Sequence, residues 1–107
     1  MLQKSMVEIF QEITKKELDI LQKKSDDYSD KKDSLSVFKN VANTIKVKPE
    51  IVALAFIGTK VERLSTLLNG QCMPKNEPLM DSIKDLRNYA FLLECLILDR
   101  NFEREEG

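Results

Sequence analysis

The chain has 107 residues, of which 42% are hydrophobic and 33% are charged, and its 17 Lys and Arg residues nearly balance its 18 Asp and Glu residues. This length supports one hydrophobic core but not two, and the composition is typical of a soluble, helix-rich protein. A net charge of −1 argues against a nucleic acid polymer or a membrane as partner, so any phosphate binding must be local. The chain contains no histidine, which excludes His-ligated metals and catalytic triads that use His, so any metal must be a hard ion held by carboxylates.

The first predicted helix covers residues 2–24. Its apolar side chains recur at helical spacing: Met6, Ile9, Phe10, Ile13, Ile20 and Leu21. Glu17 falls in the middle of this face, one turn from Ile13 and one turn from Leu21. A charged residue centred on an apolar face rarely lacks a partner, so we expect Glu17 either to meet a cation or to lie where the face reaches solvent.

Two more helices are predicted after a polar loop over residues 25–33. Ser34 can cap the second helix, whose inward side chains should be Leu35, Phe38, Val41, Ala42 and Ile45. Pro49 suits the first turn of a third helix over residues 49–68, which Asn69 and Gly70 should end. Residues 51–57 are apolar at every position, which indicates burial on more than one side, either centrally in a bundle or in a subunit interface.

The fourth predicted helix carries two stripes over residues 76–93 and should end near Leu98. The apolar seam is formed by Leu79, Ile83, Leu86, Ala90 and Leu93. Beside it runs a polar stripe of Glu77, Asp81, Asp85 and Asn88. Because like charges one turn apart destabilise a helix, we expect a divalent metal or a cation from another helix beside this stripe. The alternative is a solvated acidic face near a helix N-terminus, where the helix dipole favours Asp and Glu.

Together these elements predict an all-α protein. We expect a four-helix bundle formed as a single domain by residues 1–98, followed by a charged tail over residues 99–107. The apolar start of the third helix predicts a homo-oligomer. No apolar run has the length of a membrane span and no signal peptide is evident, so we expect a cytoplasmic protein in which Cys72 and Cys95 are reduced thiols.

Three segments together resemble one family. They are residues 24–28 (KSDDY), followed by an aromatic residue, Phe38, in the next helix; residues 60–64 (KVERL); and residues 77–90 (EPLMDSIKDLRNYA). This set resembles the nucleotide-modification-associated domain of phages and bacteria, which is similar in turn to the MazG-like all-α nucleotide pyrophosphohydrolases. The resemblance implies a MazG-like bundle, a nucleotide ligand and Mg²⁺ as a cofactor.

The resemblance also implies a role for particular residues. Metal binding would fall to Glu17, Asp81 and Asp85. Ligand binding would fall to Lys24, Asp27, Tyr28, Lys60, Arg63, Asn88 and Tyr89, with the cations on phosphate and with Asn88 or Tyr89 on the base or ribose. The chain departs from the family at Thr59, where an acid is usual, and at Ser29, where glycine is usual. It also lacks the E-E-x-x-E cluster in the first helix.

Compared with the family that it resembles, the chain lacks several carboxylates but keeps the cations and the amide. This pattern favours binding of a phosphorylated ligand over its hydrolysis. Our first hypothesis is therefore a phage-encoded nucleotide-binding protein of the host cytoplasm. It would sequester a nucleotide or a cyclic nucleotide signal without robust hydrolysis, as an anti-defence sponge. The second hypothesis is a Mg²⁺-dependent nucleoside triphosphate pyrophosphohydrolase, and the third is a helical interaction module without a ligand. The sequence leaves open whether the chain is an enzyme.

Overall fold

The computed structural model describes residues 3–27, 35–70 and 76–106, and it describes side chains for residues 3–23, 35–70 and 78–100. Every element within these residues is an α-helix. The helices are α1 (Met6–Asp27), α2 (Ser36–Ile45), α3 (Pro49–Asn69) and α4 (Asn76–Glu106). The prediction of an all-α protein with four helices is therefore confirmed for the described part of the chain.

The helices are divided between two compact units. The unit Met1–Asp33 contains α1, and the unit Ser34–Gly107 contains α2, α3 and α4. One bundle of all four helices, and a single domain over residues 1–98, stay predictions.

α1 begins at Met6, four residues later than predicted, because Ser5 caps it. The Ser5 hydroxyl oxygen accepts a hydrogen bond from the backbone N–H of Glu8 at 3.1 Å, and the Ser5 carbonyl accepts one from Ile9 at 3.1 Å. Such a cap satisfies a backbone donor that the first turn of a helix would otherwise leave unpaired. The apolar face is narrower than predicted, since Phe10 is 63% exposed whereas Ile9 is half-buried.

α2 is short, and its buried side chains lie along one side of the helix. Phe38 and Ala42 are buried, whereas Val41 and Ile45, which were predicted to point inward, are exposed. The helix ends at Lys46, whose left-handed backbone (φ 61°) lets the N–H of Val47 bond to the carbonyl of Ala42 at 3.0 Å. The predicted cap Ser34 lies outside the described residues.

α3 begins at Pro49 and ends at Asn69, close to the predicted bounds. Gly70 follows with an extended backbone (φ −67°) and not with the left-handed backbone common after helices. The apolar run 51–57 is split between two environments: Val52 and Ala53 are buried, whereas Ile51 and Leu54 are about half exposed. One side of this run therefore supplies the core and the other faces outward.

The core of the unit Ser34–Gly107 is built around a row of three aromatic rings. Phe38 of α2 lies 5.5 Å from Phe56 of α3, and Phe56 lies 5.5 Å from Tyr89 of α4, measured between ring centroids. Both pairs are tilted, as aromatic quadrupoles prefer. The buried residues of this core are Leu35, Phe38, Ala42, Val52, Ala53 and Leu96. Cys95 packs against them as a thiol, as predicted, and Cys72 lies outside the described residues.

α3 and α4 run antiparallel, because residues late in one helix meet residues early in the other. Lys60 pairs with Asp85 at 3.0 Å, and Glu50, ten residues earlier in α3, pairs with Arg100 at 3.6 Å. The prediction that the fourth helix ends near Leu98 is wrong, since α4 continues to Glu106. Asp99 bonds to Lys39 of α2 at 2.8 Å, so ion pairs to two other helices hold this part of α4.

The inward face of α4 also differs from the predicted apolar seam. Ile83 and Ala90, which belong to that seam, are exposed, whereas Ser82 and Leu96 are only 2% exposed. The inward line runs through Ser82, Asp85, Leu86, Tyr89, Leu92, Leu93 and Leu96. The helix is turned so that Tyr89 meets Phe56, which places Asp85 at the α3–α4 contact.

Candidate functional site

The best-defined polar contact among the predicted site residues joins α3 to α4. The Lys60 ammonium nitrogen lies 3.0 Å from the Asp85 carboxylate, with the two side chains 25% and 48% exposed. One turn away on each helix, Phe56 and Tyr89 make their ring contact. Two layers therefore follow each other along the antiparallel helices, an aromatic layer and then a charged one. A cation from another helix does face the acidic stripe, which was one of the two expectations for it.

Next to this ion pair, α3 borders an open groove of about 400 Å³. The residues that line it are Thr59, Lys60, Glu62, Arg63, Thr66 and Leu67. The groove thus combines two cations, two hydroxyls and one carboxylate. The Thr59 hydroxyl donates to the carbonyl of Phe56 at 2.7 Å, which leaves its oxygen able to accept a hydrogen bond from a ligand.

Arg63 is the most accessible cation of the groove. It is exposed, and no carboxylate in the described part of the chain lies within ion-pair distance of it. A guanidinium presents donors in a planar fork that can bind two oxygens of a phosphate or a carboxylate at once. Lys60 adds an ammonium with three donors, of which Asp85 takes one. The groove therefore presents hydrogen-bond donors of the kind that an oxyanion accepts.

Within the described residues, the carboxylates of the polar stripe on α4 do not gather into a group that could hold a metal ion. Asp81 and Asn88 are exposed on either side of Asp85, and within the described residues no group of three or more acidic or Cys side chains is placed to hold a metal ion. Glu17 belongs to α1 in the other compact unit, where it is half-buried on the same line as Ile13 and has an interaction of its own. The Mg²⁺ site of Glu17, Asp81 and Asp85 stays a prediction.

The remaining predicted ligand residues fall into two groups. Tyr89, which the resemblance would place on a base or ribose, is half-buried, and its ring packs on Phe56. The side chains of Lys24, Asp27 and Tyr28 lie outside the described ones, so their predicted roles stay predictions.

The sequence reasoning missed the hydroxyls of the groove. Thr59 was noted only as a departure from an acid, and Thr66 was not considered. Thr59, Arg63 and Thr66 are spaced 4 and 3 residues apart, which places them on one face of a helix. That spacing could have revealed the groove.

None of the helices in the described part of the chain has both the length and the apolarity needed to cross a membrane. No protein-family model, no curated protein and no solved structure matches this chain.

Proposed function

We propose that this chain binds a phosphorylated small molecule of the nucleotide class through the α3 groove, and that it sequesters this ligand without robust hydrolysis. The observation that carries the proposal is Arg63, an accessible guanidinium without a carboxylate partner among the described residues. Its groove also contains Lys60, two threonine hydroxyls and one carboxylate, so two cations outnumber one acid. A phosphate there would receive two charge-assisted hydrogen bonds from Arg63 and one from Lys60.

The Lys60–Asp85 pair supports binding by cations over binding through a metal. Asp85 already has a cation 3.0 Å away, which holds the Lys60 ammonium at the α3–α4 contact beside the groove. Because the flexible lysine side chain is already held in place, less conformational entropy is lost when a ligand binds. The same pairing occupies a carboxylate that a Mg²⁺-dependent hydrolase would need for its metal.

Of the two residues predicted to meet the base or ribose, Asn88 is the exposed one. It is exposed on α4, three residues after Asp85, and its amide can both donate and accept hydrogen bonds. Tyr89 contributes chiefly through its packing on Phe56.

The test is calorimetric titration of the full chain with ATP, once with Mg²⁺ and once with EDTA. We expect binding in both buffers. Arg63→Ala should weaken it at least tenfold, because removing a charge-assisted hydrogen bond from a binding site costs more than about 1.4 kcal/mol. Arg63→Lys keeps the charge but loses the planar fork, so its affinity should fall between those of the wild type and Arg63→Ala.

Lys84→Ala is the matched control, since Lys84 is exposed on α4 and does not line the groove. It should bind ATP as the wild type does. Absence of heat in both buffers, or equal affinity of Arg63→Ala and wild type, would contradict the proposal. Conversion of ATP to AMP and pyrophosphate that EDTA abolishes, and that Glu17→Gln eliminates, would favour the pyrophosphohydrolase.

A further inference from the structure

The outward side of α3 carries a stripe of large apolar side chains interrupted by two small residues. Its large members are Ile51, Leu54, Val61 and Leu68, which are 50%, 54%, 50% and 66% exposed. Gly58 and Ser65 fall between them, so the six positions are spaced 3, 4, 3, 4 and 3 residues apart. We call these six residues the α3 stripe. This spacing is the heptad repeat with which a helix packs along another helix.

The stripe carries no charged residue although a third of the chain is charged. The charges of α3 lie elsewhere on the helix: Glu50 pairs with Arg100, Lys60 pairs with Asp85, and Arg63 lines the groove. A helix face that remains in water is typically polar, whereas an apolar face without charges marks a contact surface.

Gly58 is the second observation. It lies in the middle of a 21-residue helix, and a Cβ added there would meet nothing within 4 Å among the described residues. Glycine inside a helix costs about 1 kcal/mol relative to alanine, and no described neighbour requires the missing side chain. A second helix that crosses closely at this point would explain the glycine, because it needs the space that a Cβ would fill.

We infer that the α3 stripe binds the α3 stripe of a second copy of this chain, with the two helices antiparallel. The stripe is complementary to itself in that orientation. A two-fold axis between Gly58 and Val61 places Val61 of one copy over Gly58 of the other and Leu54 over Ser65, so that a large side chain meets a small one. Ile51 then meets Leu68, and the seam continues to both ends.

The four large side chains of the α3 stripe supply part of the surface that such a pair needs. The four large side chains expose about 400 Å² in each copy, so pairing removes about 800 Å² from water, before the flanking residues are counted. Stable specific interfaces bury about 1,200–2,000 Å² in total, so the pairing also requires burial of flanking exposed residues such as Ala55, Glu62 and Asn69. This inference does not depend on the proposed nucleotide binding.

Sedimentation velocity of the full chain over a wide range of concentration tests the pairing. The wild type should dimerise, and Leu54→Glu should weaken the dimer at least tenfold, because it places a carboxylate in the seam. Leu98→Glu is the matched control: Leu98 is 61% exposed on α4, outside the stripe, so this variant should dimerise as the wild type does. Far-UV circular dichroism shows that each variant keeps its helices.

The antiparallel register gives a second, independent readout. Since Leu54 of one copy lies opposite Ser65 of the other, the double variant Leu54→Glu, Ser65→Lys places opposite charges together twice in the dimer, and it should regain association. Gly58→Ala should weaken the dimer while leaving the helical content intact. A wild type that stays monomeric at all concentrations, equal effects of Leu54→Glu and Leu98→Glu, or a double variant no tighter than Leu54→Glu would overturn the inference.

Discussion

The Lys60 ammonium and the Asp85 carboxylate lie 3.0 Å apart, one turn from the contact between Phe56 and Tyr89. The charged layer and the aromatic layer together fix which face of α4 meets α3. Asp85 therefore has a structural role that is independent of any ligand, and this role can be measured.

Asp85→Asn should lower the free energy of unfolding by about 0.2–1 kcal/mol, because the pair is partly exposed and solvent screens it. The loss should be the same with and without Mg²⁺, since the carboxylate faces a lysine. Urea denaturation in both buffers measures it. Asp81→Asn is the control: Asp81 is exposed on the same helix and should change little. A Mg²⁺-dependent increase in wild-type stability that Asp85→Asn removes would instead favour a metal site.

Phe56→Leu should lower the free energy of unfolding by about 1–3 kcal/mol, since it removes two ring contacts and part of the buried surface. Phe91→Leu is a suitable comparison, because Phe91 is 44% exposed and takes part in no ring contact among the described residues. Guanidinium denaturation should show almost no change for it. Equal losses for the two variants would mean that the aromatic row does not organise the core.

Ala53→Leu should cost about 1–3 kcal/mol through overpacking, because Ala53 is fully buried where α3 meets the core. Ala90→Leu makes the same change at an exposed position of α4. Thermal melting should separate them, with a lower melting temperature for Ala53→Leu alone. A tolerated leucine at residue 53 would show that the core has more room than its burial indicates.

The hydrogen bond from Lys4, together with its charge, lowers the pKa of Glu12 below the ordinary value. The two side chains meet at 2.6 Å beside the first turns of α1. A lowered pKa in the folded state means that the contact stabilises α1 above the pKa of the unfolded chain and that this contribution is lost as the pH falls through the folded pKa. Lys4→Ala should return the pKa of Glu12 towards its ordinary value in an NMR titration. A Glu12 pKa that is unchanged by the substitution would disprove the contact.

Periodicity and helix-end signals predicted the number of helices, but they did not predict which face of α4 packs into the core. Residues 86–98 contain so many apolar side chains that more than one stripe fits a helix, and the sequence favoured the one through Ile83 and Ala90. The choice is made by a partner, since the ring of Tyr89 packs on Phe56 and carries Asp85 to Lys60 with it. These contacts join segments that are far apart in the sequence, and the spacing of residues within one helix does not reveal them.

The end of α4 was misplaced for a related reason. The charged residues after Leu98 suggested a tail, yet Glu and Arg are good helix formers. Asp99 and Arg100 also have partners on α2 and α3, which are visible only once the helices are packed. Lys60 and Arg63, by contrast, were assigned to a phosphate ligand by the family resemblance. Both line the groove, and their role in binding stays a prediction.

The shortness of α2 has a consequence for how this protein opens. A helix of ten residues is too short to persist alone in water, so α2 is ordered only while Phe38 and Ala42 stay in the core and Lys39 stays on Asp99. Its amide protons should therefore exchange with solvent whenever the distal half of α4 lifts away, with no separate opening of their own. The exchange rate of the α2 amide protons therefore reports how often the distal half of α4 opens. In a chain shortened after Leu98, the amide protons of α2 should exchange faster than those of α3.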